Sequence, residues 1–296
     1  MNTLDLAKAL WPRVQQILPS EPERNQKLGG RPRISDEVIF CRLVLFLRAG
    51  CAWETFDLLS TDGPASGRTI RRRLALWRQA GVFEQICVEL QVLVEMPEVG
   101  YLDATFLRAR GGGEEIGLTK HGKGSKLQVL CRQDSIPLIF GVYSANPAES
   151  RTVLEMLETT EFELPRQTVA DRGYDSDALR WVFAELGSVL TVPHKSNRTR
   201  PNFNQEGLAE AYANRWCVER FNAWLAAWRH IATRYERKFS HYYTWVCLAI
   251  SLIYTRAGIG ILKFIQNHLG PALLTTLHLF SILEERWTTL GFVHKF

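Results

Sequence analysis

The spacing of apolar positions changes near Pro97. Before it, they recur at three- and four-residue steps. Val38, Ile39, Leu43, Leu45, Phe46 and Leu47 follow Ser35 and stop at Gly50, which predicts a helix with a polar cap at its start and a glycine at its end. A short helix is expected over Trp53 to Leu59, then a turn at Gly63-Pro64. After Ser66-Gly67, the residues Ile70, Leu74 and Trp77 form an inner stripe, and Arg68, Arg71, Arg72, Arg73 and Arg78 lie around it.

Beyond Pro97 the pattern is that of strands. Tyr101 to Arg108, Lys126 to Cys131 and Pro137 to Ser144 alternate or run apolar, which predicts three antiparallel strands. A helix over about Ser150 to Glu161 then leads into a strand ending at Asp171. A further helix, Asp177 to Leu186, precedes a fifth strand at Val189 to Val192. Strands first, then strands alternating with helices, predict a mixed α/β sheet covered by helices. The expected organisation is a helical unit over residues 1–96, the mixed sheet over 97–257, and a helical tail of unassigned role over 258–296.

Composition narrows the class. The chain has 296 residues, of which 46% are hydrophobic and 23% charged, enough for one sizeable core and a smaller one. The formal charge of +5 is mild, but Lys and Arg cluster in a few segments, as suits a polyanionic partner. The six cysteines form no CxxC pair and show no metal-ligand spacing with histidine, so they read as reduced core residues. The start, Met1-Asn2-Thr3-Leu4-Asp5, has no signal-peptide pattern, and the apolar run Tyr242 to Tyr254 is too short to cross a bilayer before Arg256. A cytoplasmic protein without membrane partners is expected.

Three acids stand out against this background. Asp103 interrupts the apolar run Val99 to Leu107, Asp171 ends the run Thr168-Val169-Ala170, and Glu219 lies in a helical stretch with Arg215, Arg220, Trp224, Trp228 and Arg229. Phosphoryl transfer with two metal ions needs carboxylates from several elements, because the ions must stabilise both the attacking and the leaving oxygen. On a continuous helix Tyr212, Arg215 and Glu219 share one face, although an ordinary Arg-Glu surface pair would have the same spacing. Tryptophans 216, 224 and 228 are assigned to the core, and Asp175 or Ser176 to the cap of the next helix.

Basic segments surround these acids in the sequence. Lys120, Lys123 and Lys126 lie in a glycine-rich stretch, and Lys195, Arg198 and Arg200 in a loop with no apolar residue. His121 and His194 in the same segments are taken as solvated. Gly29-Gly30-Arg31-Pro32-Arg33 reads as a basic arm. Three short helices ending in an arginine-rich one fit helix-turn-helix logic, in which the last helix enters the major groove. The same pattern fits the solvated face of a helical bundle.

The runs Gly50-Cys51-Ala52-Trp53, Arg71-Arg72-Arg73 through Trp77-Arg78-Gln79-Ala80-Gly81, Ala170 to Ser176, and Val218-Glu219-Arg220-Phe221 with Arg229 to Glu236 resemble the DDE transposases of bacterial insertion sequences, families four and five. The similarity covers roughly residues 30 to 256. It implies a ribonuclease-H-like catalytic fold and Asp103, Asp171 and Glu219 as catalytic, metal-holding triad. It also implies two Mg²⁺ ions, for which Mn²⁺ can substitute, and a homodimer on double-stranded DNA that joins terminal inverted repeats to target DNA. The family's helix signature is Tyr, Arg, Glu and Lys. Tyr212, Arg215 and Glu219 match it, and the lysine position holds Ala226. The function expected is end cleavage followed by strand transfer. The rival is a recruited, catalytically weakened DNA-binding protein.

Overall fold

Asn2 opens the first helix with a reciprocal cap. Its side chain accepts from the backbone N–H of Leu4 and Asp5, and the Asp5 carboxylate accepts from the Asn2 N–H. The helix that follows, α1 (Thr3–Ile17), turns Leu6, Leu10, Trp11 and Val14 inward. It lies in a stretch for which the sequence had suggested no element. The computed structural model describes residues 1–20, 33–59, 65–160, 162–201 and 208–259. The basic arm at 29–32, the Gly63-Pro64 turn and the tail from 260 onward lie outside the described residues.

The helices expected before Pro97 are present as α2 (Asp36–Ala49), α3 (Trp53–Leu59) and α4 (Gly67–Gln79), followed by α5 (Val82–Gln91). Ser35 and Ser66 cap α2 and α4 by accepting from the backbone N–H groups of Val38 and Thr69. Gly50 ends α2 in the left-handed region at φ 61°. It is also a close-approach point, since a Cβ there would lie 2.5 Å from the Cβ of Arg229.

The sheet is built from β1 (Val99–Ala109), β2 (Gly117–Thr119), β3 (Gly122–Cys131), β4 (Pro137–Ser144), β5 (Gln167–Val169), β6 (Val189–Thr191) and β7 (Thr233–Arg234). Its central order is β4-β3-β1-β5-β6. The first three strands are antiparallel, while β5 and β6 run parallel to β1. The order of elements predicted this mixed sheet, and it is the ribonuclease-H-like arrangement that the family resemblance implies. The short strands β2 and β7 were not anticipated; they extend β3 and β1 at their far ends.

Alternate residues of a strand face opposite sides, so each face of the sheet makes its own core. On one side Leu102, Leu130, Leu138 and Ile139 pack with α6 (Glu149–Glu158) and α7 (Asp177–Glu185). On the other, Tyr101, Leu127, Val129 and Val169 meet a larger core. That core includes α9 (Trp216–Ala226) and α11 (Phe239–Arg256), and also α1, α2, α4 and α5. The chain therefore changes element type near Pro97 without interrupting its hydrophobic core. Helix α11 is buried on all sides from Thr244 to Thr255, which explains the apolar run at 242–254. Among the described residues, no helix is long and apolar enough to cross a membrane.

Candidate active site

Strands β1 and β5 pair in parallel with Val99 opposite Gln167, Gly100 opposite Thr168 and Tyr101 opposite Val169. Carried on by two residues, this register brings Asp103, in the middle of β1, near Asp171, just past the carboxyl end of β5. Beyond Val169 the chain leaves the sheet, and Asp171 caps a 3-10 turn (Arg172–Tyr174) by accepting from the Gly173 N–H at 2.7 Å. Asp103 stays within β1. Burial pushes its carboxyl up to about 6, and the neighbouring charges of Asp171 and Glu149 act in the same direction; the Ala104 backbone N–H and Arg215 act against them.

The face of β1 that carries Asp103 is covered by α9. Arg215 stands at the start of that helix, with one guanidinium nitrogen 3.6 Å from Asp103 Oδ1 and another donating to the Tyr212 hydroxyl at 2.9 Å. The expected long helix is in fact three: α8 (Leu208–Ala213), α9 and α10 (Arg229–Ala232). The structure thus brings together Tyr212, Arg215 and Asp103. Glu219, one turn further along α9, is exposed and forms no ion pair among the described residues. Nor do any three His, Cys, Asp or Glu side chains among the described residues stand close enough to hold a metal ion together.

The acid that does approach Asp171 is Glu149, the first residue of α6, which the sequence gave no reason to single out. Burial pushes its carboxyl up; Lys126 lowers it, Asp171 raises it, and it accepts a hydrogen bond from Tyr174. Gln128 sits behind this group, fully buried. Its amide donates to the Asp103 carbonyl at 3.0 Å and to the Tyr174 hydroxyl at 2.9 Å, and its carbonyl oxygen accepts from Thr152 at 3.1 Å. A buried polar group must be satisfied, so this amide fixes β1, β3, α6 and the 3-10 turn relative to one another. A glutamine within an apolar strand was the available signal.

The basic residues divide into exposed and internal sets. Arg68, Arg71 and Arg72 are exposed on α4. Arg73 is not: it is 7% exposed and paired with Asp36. Arg78 is only partly exposed, and burial lowers its pKa. Lys120 and Lys123 are exposed on the β2–β3 hairpin, whereas Lys126 points inward and donates to the Pro147 carbonyl at 2.7 Å.

The loop after β6 is held by acids. Asp175 is not simply a helix cap. It meets Arg180 at 2.7 Å, His194 at 3.3 Å and Arg198 at 3.3 Å, accepts from the Lys195 N–H, and is held down at about 2 despite its burial. Asp177 pairs with Arg198 at 2.8 Å and with Arg200 at 3.0 Å. Arg198 is therefore an internal strut, and His194 is not a solvated histidine. Lys195 and Arg200 remain exposed. Arg229 is exposed too, but it lies beyond the break after α9, so it does not extend the face of Glu219. Trp228 is buried, and Trp224 is half-buried against the core; Trp216, assigned to the core, is 46% exposed and stacks on Arg220.

Residues 95–253, more than half of the chain, match a family described as "Transposase DDE domain", and residues 6–87 match "Putative transposase of IS4/5 family". Two curated relatives come from Burkholderia cepacia. An uncharacterized 16.2 kDa protein of insertion element IS402 is 30% identical over 115 residues, 37% of this chain and 77% of that one. The putative transposase of the same element is 28% identical over 124 residues, 39% of this chain and 55% of its own length. Among solved structures, the piggyBac transposase synaptic complex with hairpin DNA aligns at a TM-score of 0.51 with 11% identity. The alignment covers 90% of this chain and 76% of that one, a likeness of fold. The chain belongs to the DDE transposases of bacterial insertion sequences.

Proposed function

We propose that this DNA transposase binds the terminal inverted repeats of its element, cleaves DNA at the element ends and transfers the freed 3′ hydroxyls to target phosphodiesters. The observation that supports this most is the placement of Asp103, within β1, near Asp171, just past the end of the adjacent parallel strand β5, with Asp103 crowded enough by burial and negative charge to titrate near 6. Crowded carboxylates that resist losing their protons suit divalent cations, which relieve the repulsion. The family resemblance assigns Asp103, Asp171 and Glu219 to two Mg²⁺ ions, or Mn²⁺, which would supply the charge that stabilises the attacking and leaving oxygens at phosphorus; among the described residues the three acids do not stand close enough together to hold an ion as they are.

The protein's own groups do the rest. Arg215 offsets the charge of Asp103, and Tyr212 orients Arg215. The exposed arginines of α4 contact end DNA, with Lys120, Lys123, Lys195, Arg200 and Arg229 as further phosphate contacts. A homodimer brings two ends together, and the protein works where the chromosome is, in the cytoplasm. A second reading, a DNA-binding protein that no longer cuts, is favoured by Ala226 at the family's lysine position. A supercoiled plasmid carrying the element ends, incubated with the protein and Mg²⁺, separates the readings. Cleavage at the ends with strand joining is expected. Binding without cleavage would establish the second reading, and cutting without regard to the ends would overturn both.

A further inference from the structure

Three consecutive glycines follow Arg110 at the end of β1, and the fold requires only the last of them. Gly113 lies against the backbone of Arg237 with no room for a Cβ, whereas a Cβ at Gly111 or Gly112 would meet nothing within 4 Å. Neither of these two has the positive φ that favours glycine. Glycine also serves where another molecule must approach the backbone closely, and within the chain nothing approaches here. Both residues are exposed, and among the described residues their N–H groups donate no hydrogen bond.

Cations flank this loop. Arg108 pairs with Thr233 of β7, the Arg110 N–H donates to the Arg234 carbonyl at 3.0 Å, and the Glu114 N–H donates to the Arg237 carbonyl at 2.9 Å. These backbone bonds set Arg108 and Arg110 alongside the segment that carries Tyr235, Arg237 and Lys238. All five side chains are exposed. Among the described residues the four cations form no ion pair and no side-chain hydrogen bond, unlike Arg73, Arg198 and Arg234. The acids of the same segments are engaged: Glu114 accepts from the Phe239 N–H at 2.8 Å, Glu115 from the Ser144 N–H at 2.9 Å, and Glu236 meets His230 at 2.6 Å. Burial lowers the pKa of His241, and the charges of Arg78 and Lys238 lower it further, so the loop also adjoins the last turn of α4.

We propose that Arg108, the loop Arg110–Gly113, Arg237 and Lys238 form a second DNA-binding surface that grips the phosphate backbone of duplex DNA without reading its sequence. It deepens the transposase reading above and rests on it. Cations and backbone N–H groups fix a duplex through its phosphates and carry no sequence information. Arg108 is five residues along β1 from Asp103, about 17 Å at the rise of a strand, or about five base-pair steps of a duplex. The surface therefore holds DNA away from the reacting phosphodiester, and the bare backbone at Gly111 and Gly112 lets a phosphate come close.

The test is a salt titration of binding by the full chain, read by fluorescence anisotropy on a random-sequence duplex and on a duplex carrying the element end. Arg110→Ala, Arg237→Ala and Lys238→Ala are each expected to lower the slope of log affinity against log salt by about 1 on both duplexes. Gly111→Ala and Gly112→Ala in one chain are expected not to lower the melting temperature, and to weaken binding about tenfold, the loss of one hydrogen bond to a charged group. Arg166→Ala, at a side chain 84% exposed outside these segments, is expected to keep the parental slope. Parental slopes in all three cation variants would overturn the surface and leave the transposase reading standing. An equal drop in Arg166→Ala would overturn it as well, because net charge alone would then account for the effect. Losses confined to the end duplex would overturn its independence of sequence. A parent that binds neither duplex would sink the transposase reading itself.

Discussion

Arg73 turns away from the arginine-rich face of α4 and pairs with Asp36 in the first turn of α2. The consecutive arginines 71 to 73 are therefore not equivalent. Arg73→Ala leaves the Asp36 carboxylate short of a partner in a largely buried setting and is expected to cost about 3 kcal/mol of stability. Arg71→Ala and Arg72→Ala, both exposed, are expected to leave stability within about 0.5 kcal/mol. Each should instead lower the slope of log affinity against log salt for end DNA by about 1. Denaturant melts and salt titrations of binding check both halves. Equal stability losses across the three variants would contradict the assignment.

Asp103 gives the site a pH dependence. Its folded value, about 6, lies above the ordinary 3.8, so its contribution is fully present below about pH 4 and is lost as pH rises through 6. Asp103→Asn removes that cost. In the presence of a chelator the variant is expected to be more stable than the parent at pH 7.5, by up to about 3 kcal/mol, and indistinguishable from it at pH 4. Urea melts at the two pH values decide it, and a variant less stable than the parent at pH 7.5 would show that Asp103 is a stabilising charge.

Cleavage and binding should separate at the acids. Asp171→Asn keeps the oxygen that caps the 3-10 turn, so it removes the charge without releasing the Gly173 N–H. That variant, Asp103→Ala and Glu219→Ala are each expected to lower end cleavage at least about a hundredfold while leaving affinity for end DNA nearly intact. Near-parental Mg²⁺-dependent nicking by Glu219→Ala would remove it from the triad.

Asp175 anchors the loop after β6. Its side chain is 1% exposed and faces Arg180, His194 and Arg198 at once. Asp175→Ala is expected to cost about 3 kcal/mol and to open residues 193–201 to proteolysis, because three buried donors lose one acceptor. Arg200→Ala, at a side chain 73% exposed, should change stability by less than about 0.5 kcal/mol. Parental resistance of the loop in Asp175→Ala would mean that other contacts hold it.

Much of this fold is legible in local pattern. Ser35, Gly50 and Ser66 mark helix ends by their own hydrogen-bonding and backbone preferences, and the strand periods around Asp103 and Asp171 depend only on alternation. Helix α1 is harder to read locally: Asn2 and Asp5 form a capping pattern, but Pro12 lies inside the helix, where a proline ordinarily ends or kinks one. The continuous helix expected from Tyr212 to Arg229 was an extrapolation of one period. Arg215 stands at a turn, and Trp228 breaks the next one.

What the sequence alone determined is the family to which the chain belongs. An acid in an apolar strand, an acid at a strand end and a Tyr-Arg-Glu helix signature are local facts, readable without coordinates. Tertiary structure decided which charges are available to the family's chemistry. Arg73, Arg198 and Lys126 look like DNA contacts by spacing, and all three turn inward to Asp36, to Asp175 and Asp177, and to the Pro147 carbonyl. Glu149 looks like an ordinary first-turn acid, yet it stands beside Asp171 because α6 packs on the 3-10 turn. Burial and pairing depend on contacts between residues far apart in the chain, and no local period encodes them.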